Sequence, residues 1–177
     1  MVNPLIIQGG MGAGVSDWRL AQAVASHGQL GVVSGTALDL IIARRLQSGD
    51  PGGYLQEALR HFPDQEMARR ILDSHYIPGG KSASEAFRTI VPMSADPKRP
   101  QLELAVVSSF CEVWLAKQGH DGVVGMNLLE KIQLPNLPTL YGAMLAGVDY
   151  ILMGAGIPWE IPGILDQLAL HLSLIHI

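Results

Sequence analysis

Residues 9–14 read Gly-Gly-Met-Gly-Ala-Gly, four glycines in six positions. They follow the apolar run "PLIIQ" and precede the helix-start signal "VSD". Glycine has no Cβ, so a backbone rich in it can bring its N–H groups close to a ligand. Three uses suit such a segment: seating a dinucleotide's pyrophosphate, seating a flat flavin ring, or making a tight turn.

The dinucleotide reading fails on spacing. Residues 10–14 give G-x-G-x-G, not G-x-G-x-x-G, and the next strand-like run ends in Ser34-Gly35-Thr36, where an acidic residue would face the ribose. An internal echo points elsewhere. Met11-Gly12-Ala13-Gly14 returns as Met153-Gly154-Ala155-Gly156, each after an apolar run. Small residues at the C-terminal ends of three expected parallel strands point to a shared cavity, the face that carries the site in a (βα)8 barrel. Glycines that serve only turns and helix packing remain the alternative.

Other residues invite chemistry with a plainer reading beside it. Asn127, which ends "VVGMN", can hydrogen-bond a ring's polar edge or cap a loop. Glu130 and Lys131 can touch substrate or form a solvated ion pair, the commoner case. His27, His61, His75, His120 and His171 show no H-x-x-x-H or similar spacing, so no metal site is expected. His120 follows Gly119 at an expected helix end, where a positive charge complements the dipole. Cys111 falls mid-helix and reads as a buried thiol. Met11, Met126 and Met153 can line an apolar ring pocket or simply fill a core. No catalytic residue is assigned.

The elements that must position these residues are legible as alternating runs. Strands are expected at 4–8, 30–36, 122–129 and 150–156, the first of them buried. Ser16 or Asp17 caps a helix that uses Leu20, Ala21, Val24 and Ala25 and closes at Gly28. A helical insertion with a loop-rich end occupies about 37–100, interrupted by "SGDPGG" and restarting near Pro63. Residues 101–118 read as helix on the spacing of Leu102, Val106, Phe110 and Val113, with strand an open alternative because of "LAVVSSF". Helices follow the third and fourth strands, the last with Pro162 in its first turn. The order is that of an α/β fold with parallel strands and crossover helices.

Composition bounds the class. The chain has 177 residues, 48% hydrophobic and 16% charged, with a net charge of −4 and mean hydropathy of +0.24. No apolar run approaches the roughly 18 residues of a membrane span. The charge argues against nucleic acid as a partner. A strand signal within a few residues of Met1 leaves no room for a signal peptide, and a single cysteine fits a reducing cytoplasm.

The segments "PLIIQGGMGAGVSDWRLAQAVASHGQLGVVSGT", "VVGMNL" and "AGVDYILMGAGIP" resemble the nitronate monooxygenase (2-nitropropane dioxygenase) family, FMN-dependent TIM-barrel oxidoreductases. The resemblance covers roughly 1–36 and 120–170. It implies that the chain is the N-terminal half of a (βα)8 TIM barrel, residues 1–171, with the insertion after strand 2. It also implies FMN as cofactor, seated by Gly9, Gly10, Met11 and Gly12, with Ser34, Gly35, Asn127 and Gly154 around the ring. The implied reaction is oxidation of a small-molecule alkyl nitronate by O₂ to a carbonyl compound and nitrite. Two departures matter: the long insertion, and "GGM" where many members have "APM". Related flavin barrels use NAD(P)H to reduce quinones or enoyl thioesters, and a non-catalytic ligand-binding module is the third possibility. The fold implies phosphate-holding loops and a catalytic base beyond residue 171. The closing "LSLIHI" is what a common transposon sequencing adapter encodes in one frame, so 172–177 read as a non-native tail.

Overall fold

The computed structural model describes residues 4–171, so the expectation for the tail at 172–177 lies outside the described residues. The order of elements is α1 (Trp18–Ser26), β1 (Gly31–Ser34), α2 (Leu38–Gln47), α3 (Tyr54–Arg60), α4 (Gln65–His75) and α5 (Arg99–Ala116). Then come β2 (Val124–Leu129), α6 (Asn136–Leu145), β3 (Tyr150–Gly154) and α7 (Ile161–Ala169). The strands form a parallel sheet in the order β1-β2-β3, with Ser34 beside Asn127 and Asn127 beside Leu152. The expected α/β class with parallel strands is present.

The expected first strand is corrected. Residues 4–8 contribute one parallel bridge, Ile7 with Leu30, so among the described residues the sheet has three strands and not four. The segment is not buried: Leu5, Ile6 and Ile7 are all exposed, Leu5 to 92%. Side chains explain the short pairing. Gln8 Oε1 accepts from Val32 N at 2.8 Å, taking the place of a strand carbonyl. Gln29 Oε1 accepts from Leu5 N and Ile6 N at 3.0 and 2.8 Å. Gly10, at φ +62°, then turns the chain out of the extended region.

α1 begins where expected, with the Asp17 carboxylate accepting from Arg19 N and Leu20 N. Leu20, assigned to its buried face, is exposed, while Ala21 and Ala25 are buried. Asp64 caps α4 in the same way, so Pro63 stands just ahead of the helix. α5 resolves the helix-or-strand ambiguity of 101–118 as helix. Its sequence was ambiguous for a physical reason. Contacts on all sides bury Ser108, Ser109, Glu103 and Glu112 as well as the apolar residues, so the helix lacks the polar stripe of an amphipathic one. Leu102, at its first turns, is more exposed than the spacing implied.

α5 is the hub. Phe110 meets Phe62 edge to face at 5.0 Å. A Cβ on Gly142 of α6 would lie 2.0 Å from Val106 O, so glycine lets α6 lie directly on α5. Two buried carboxylates tie other helices to it. Glu103 is held by Arg70 Nε and Nη2 at 3.0 and 2.7 Å and by Arg99 Nε at 2.6 Å, and the Arg70 bonds hold its carboxyl below the usual range against the opposing effect of burial. Glu112 accepts from Trp18 N at 2.8 Å and pairs with Arg45; burial pushes its pKa up, and Arg45 opposes that. The loop expected after α4 is pinned by buried Gln47, whose backbone O accepts from Lys81 N at 2.8 Å and whose Oε1 accepts from Arg88 N at 2.6 Å.

Candidate functional site

Strand alternation divides the sheet into two faces. Val33, Met126, Leu128, Ile151 and Met153 point into the helical core. On the other face the register aligns Ser34, Asn127 and Leu152, and further along Leu129 and Gly154. Parallel strands are normally buried on both faces. Here Asn127, Leu129, Leu152 and Gly154 stay partly exposed, so this face is open at its C-terminal end.

Asn127 gathers the expected residues. Its Nδ2 donates to Gly9 O at 2.8 Å and approaches Met11 Sδ at 3.0 Å. A Cβ on Gly10 would come 3.0 Å from Asn127 Cβ and 2.4 Å from Val32 Cγ1, so the glycine segment lies flat on the strands. Asn127 O accepts from Gly35 N at 2.8 Å. Ser34 is its register neighbour on β1, and a Cβ on Gly154 would be 3.9 Å from Asn127 Oδ1. Gly9, Gly10, Met11, Gly12, Ser34, Gly35, Asn127 and Gly154 are thus brought to one end of one sheet.

Both sides of this cluster have free hydrogen-bonding capacity. Among the described residues, the N–H groups of Gly9, Gly10, Met11 and Gly12 donate to no protein acceptor, and Asn127 Oδ1 receives no donor. Gly9, Met11 and Gly12 are exposed. The result is a run of unpaired donors, exposed at Gly9, Met11 and Gly12 and covered at Gly10, beside one amide acceptor.

Ser16, expected only as a possible cap of α1, and Gln8, expected only as the end of an apolar run, build this arrangement. Ser16 Oγ donates to Met11 O at 2.8 Å and receives Gln8 Nε2 at 3.0 Å, while Ser16 O accepts from Ser34 N at 2.9 Å. The signal was a glutamine closing an apolar run and a serine just before the cap, both ordinary in isolation.

The remaining candidates fall outside the cluster. Glu130 receives Gln133 Nε2 at 3.2 Å, and among the described residues it forms no ion pair with Lys131, contrary to that expectation. Met126 is core and Met11 is exposed; Met153 lines a neighbouring cavity of about 410 Å³ between α6 and α7. His120 Nδ1 accepts from Gly122 N at 3.0 Å, so Nε2 carries the proton shared with Ala116 O at 2.8 Å. The ring is thus bonded to the end of α5. Cys111 is fully buried, and burial drives its thiol far above the ordinary range, which makes it inert. Among the described residues no group of three or more His, Cys, Asp and Glu side chains could hold a metal ion, and no helix is long and apolar enough to cross a membrane.

A second cavity, of about 520 Å³, begins at Gly35 and extends away from the glycine segment. Loop residues Ile90, Pro92 and Met93 form one wall and residues 131–135 another. The insertion therefore reaches the C-terminal end of the sheet. Comparisons of the chain with family models, curated proteins and solved structures give no match.

Proposed function

We propose that the cluster around Asn127 is the ring seat of an FMN-dependent oxidoreductase resembling nitronate monooxygenase, built as the N-terminal half of a (βα)8 barrel. One observation carries the reading. The Asn127 nitrogen is committed to Gly9 O while its oxygen is free, beside four backbone N–H groups that lack acceptors. The pyrimidine edge of a flavin has the complementary pattern, several acceptors and one N–H donor. The parallel strands and the site's position at their C-terminal ends support the barrel.

The fit is to the ring. Gly9–Gly12 would donate to its oxygens and nitrogens, and Asn127 Oδ1 would accept its N–H. Ser34 and Gly35 fix the β1 end against Asn127 through the register and the Gly35 N–H, which keeps the seat rigid. The chemistry FMN would supply when bound is electron transfer between a carbanion-like nitronate and O₂, for an overall oxidation of two nitronates by one O₂ to two carbonyl compounds and two nitrites, with O₂ as the source of the carbonyl oxygens. The chain's part is to bind, orient and desolvate, and Met11 is placed to cover apolar surface at the edge of the seat. A cytoplasmic setting accords with one fully buried thiol.

The test is anaerobic mixing of the flavin-loaded protein with an alkyl nitronate or with NADH, followed by flavin absorbance. Bleaching by the nitronate alone supports the reading. Bleaching by NADH alone replaces it with an NAD(P)H-dependent reductase, and bleaching by neither removes both.

A further inference from the structure

We propose that the cavity of about 520 Å³ next to Gly35 is a binding site for an apolar monocarboxylate, with its chain among Ile90, Pro92, Met93 and Leu134 and its head group at Lys131 and Thr139. Its volume lies in the usual range for small-molecule pockets. Three independent features place an anion in it.

The first is Lys131, which lines the cavity and has no carboxylate partner among the described residues. The second is Thr139. Only 3% of this residue is exposed, it lines the cavity, and its hydroxyl has no hydrogen-bond partner among the described residues. The oxygen is not sealed in the core but meets the cavity, and a hydroxyl inside a helix ordinarily bonds back to the carbonyl one turn earlier. This one does not. The third is backbone charge. α2 opens onto the cavity at Leu38 without a side-chain cap, and among the described residues the N–H groups of Leu38 and Asp39 find no acceptor. Uncapped first-turn N–H groups favour an anion.

Asp39 decides which anion. It lines the same cavity, and its Oδ1 is engaged by Leu40 N at 2.8 Å. Lys131 and Asp39 cancel in charge, so the α2 N–H groups and the Thr139 hydroxyl are what is left to offset an anion; that suffices for one negative charge and disfavours a phosphate, which carries more. The apolar wall from the insertion supplies affinity for a hydrocarbon chain. No flavin is required, so this site stands apart from the function proposed above.

The experiment is calorimetric titration of the full chain, without flavin, using octanoate, 1-octanol and octyl phosphate. Octanoate is expected to bind saturably with one site, and octanol about tenfold or more weaker, the loss of a charge-assisted hydrogen bond. Lys131→Met should weaken octanoate by a similar factor and leave octanol unchanged. Thr139→Val, which keeps shape, should weaken octanoate several-fold. Octyl phosphate should bind more weakly than octanoate, and Asp39→Asn should close that gap. Absence of saturable octanoate binding overturns the proposal. So does octanoate binding that octanol matches and that neither Lys131→Met nor Thr139→Val changes. Because the titration contains no flavin, its failure leaves the flavin reading standing.

Discussion

Asn127 holds Gly9 by a 2.8 Å hydrogen bond across 118 residues of chain, and this bond fastens the exposed glycine segment to the sheet. Residues 4–8 add only one bridge of their own. Asn127→Ala should therefore cost about 1–3 kcal/mol and speed exchange of the bonded amides that flank the segment, Gln8 and Val15, before it affects the core. Urea unfolding and native-state exchange measure both. Unchanged exchange at these amides would mean that Ser16 and Gln8 hold the segment alone.

The two adjacent glycines are not equivalent. Gly10 sits at φ +62° with Val32 Cγ1 2.4 Å from where a Cβ would be, whereas a Cβ on Gly9 would meet only Met11 Cγ at 3.7 Å. Gly10→Ala should cost about 1–3 kcal/mol and Gly9→Ala less than about 0.5 kcal/mol. Denaturant midpoints read the difference. Gly9 is thus the position at which a side chain tests ligand contact without unfolding the loop.

Glu103 gives stability a pH dependence. Its carboxyl is held below the ordinary range by Arg70 and then Arg99, so its stabilising contribution is present above the unfolded-state pKa and is lost as pH falls through the lower folded value. Glu103→Gln should lower the urea midpoint at neutral pH, and the deficit should shrink in acid. A deficit that is constant with pH would show that packing, not charge, is what Glu103 provides.

The contact of α5 with α6 depends on a missing side chain. A methyl at Gly142 would press on Val106 O at 2.0 Å, and Ser109 Oγ would be 2.2 Å away. Gly142→Ala should destabilise by about 1–3 kcal/mol, although alanine is the better helix former. A stabilised variant would mean that the two helices separate easily.

Much of this architecture was readable in advance for identifiable reasons. β1 and β2 are mainly apolar runs flanked by glycine, β3 is an apolar run ending in Gly154, and Asp17 is a cap residue at the position it occupies. The run at 4–8 has the same pattern but lacks its ladder, because Gln8 and Gln29 take over bonds that a strand would make. Local pattern does not reveal such side-chain substitution. α5 was ambiguous because burial on every side removes periodicity. At the site, the repeated Met-Gly-Ala-Gly marked the end of β3 and the turn after the bridge at Ile7, and Asn127 marked β2. Thr139 and Asp39 carry no local signal. They matter only because distant loops converge on them.

The central claim, that Gly9–Gly12 and Asn127 seat a flavin ring, is tested most directly by nuclear magnetic resonance titration of the isotopically labelled chain with riboflavin and with FMN. Contacts to the ring predict that both ligands shift the amides of Gly9, Gly10, Met11 and Gly12 and the Asn127 side-chain amide, with similar affinities. They also predict that Asn127→Ala weakens both by about tenfold. Shifts confined to other parts of the chain, or none at saturating flavin, would contradict it.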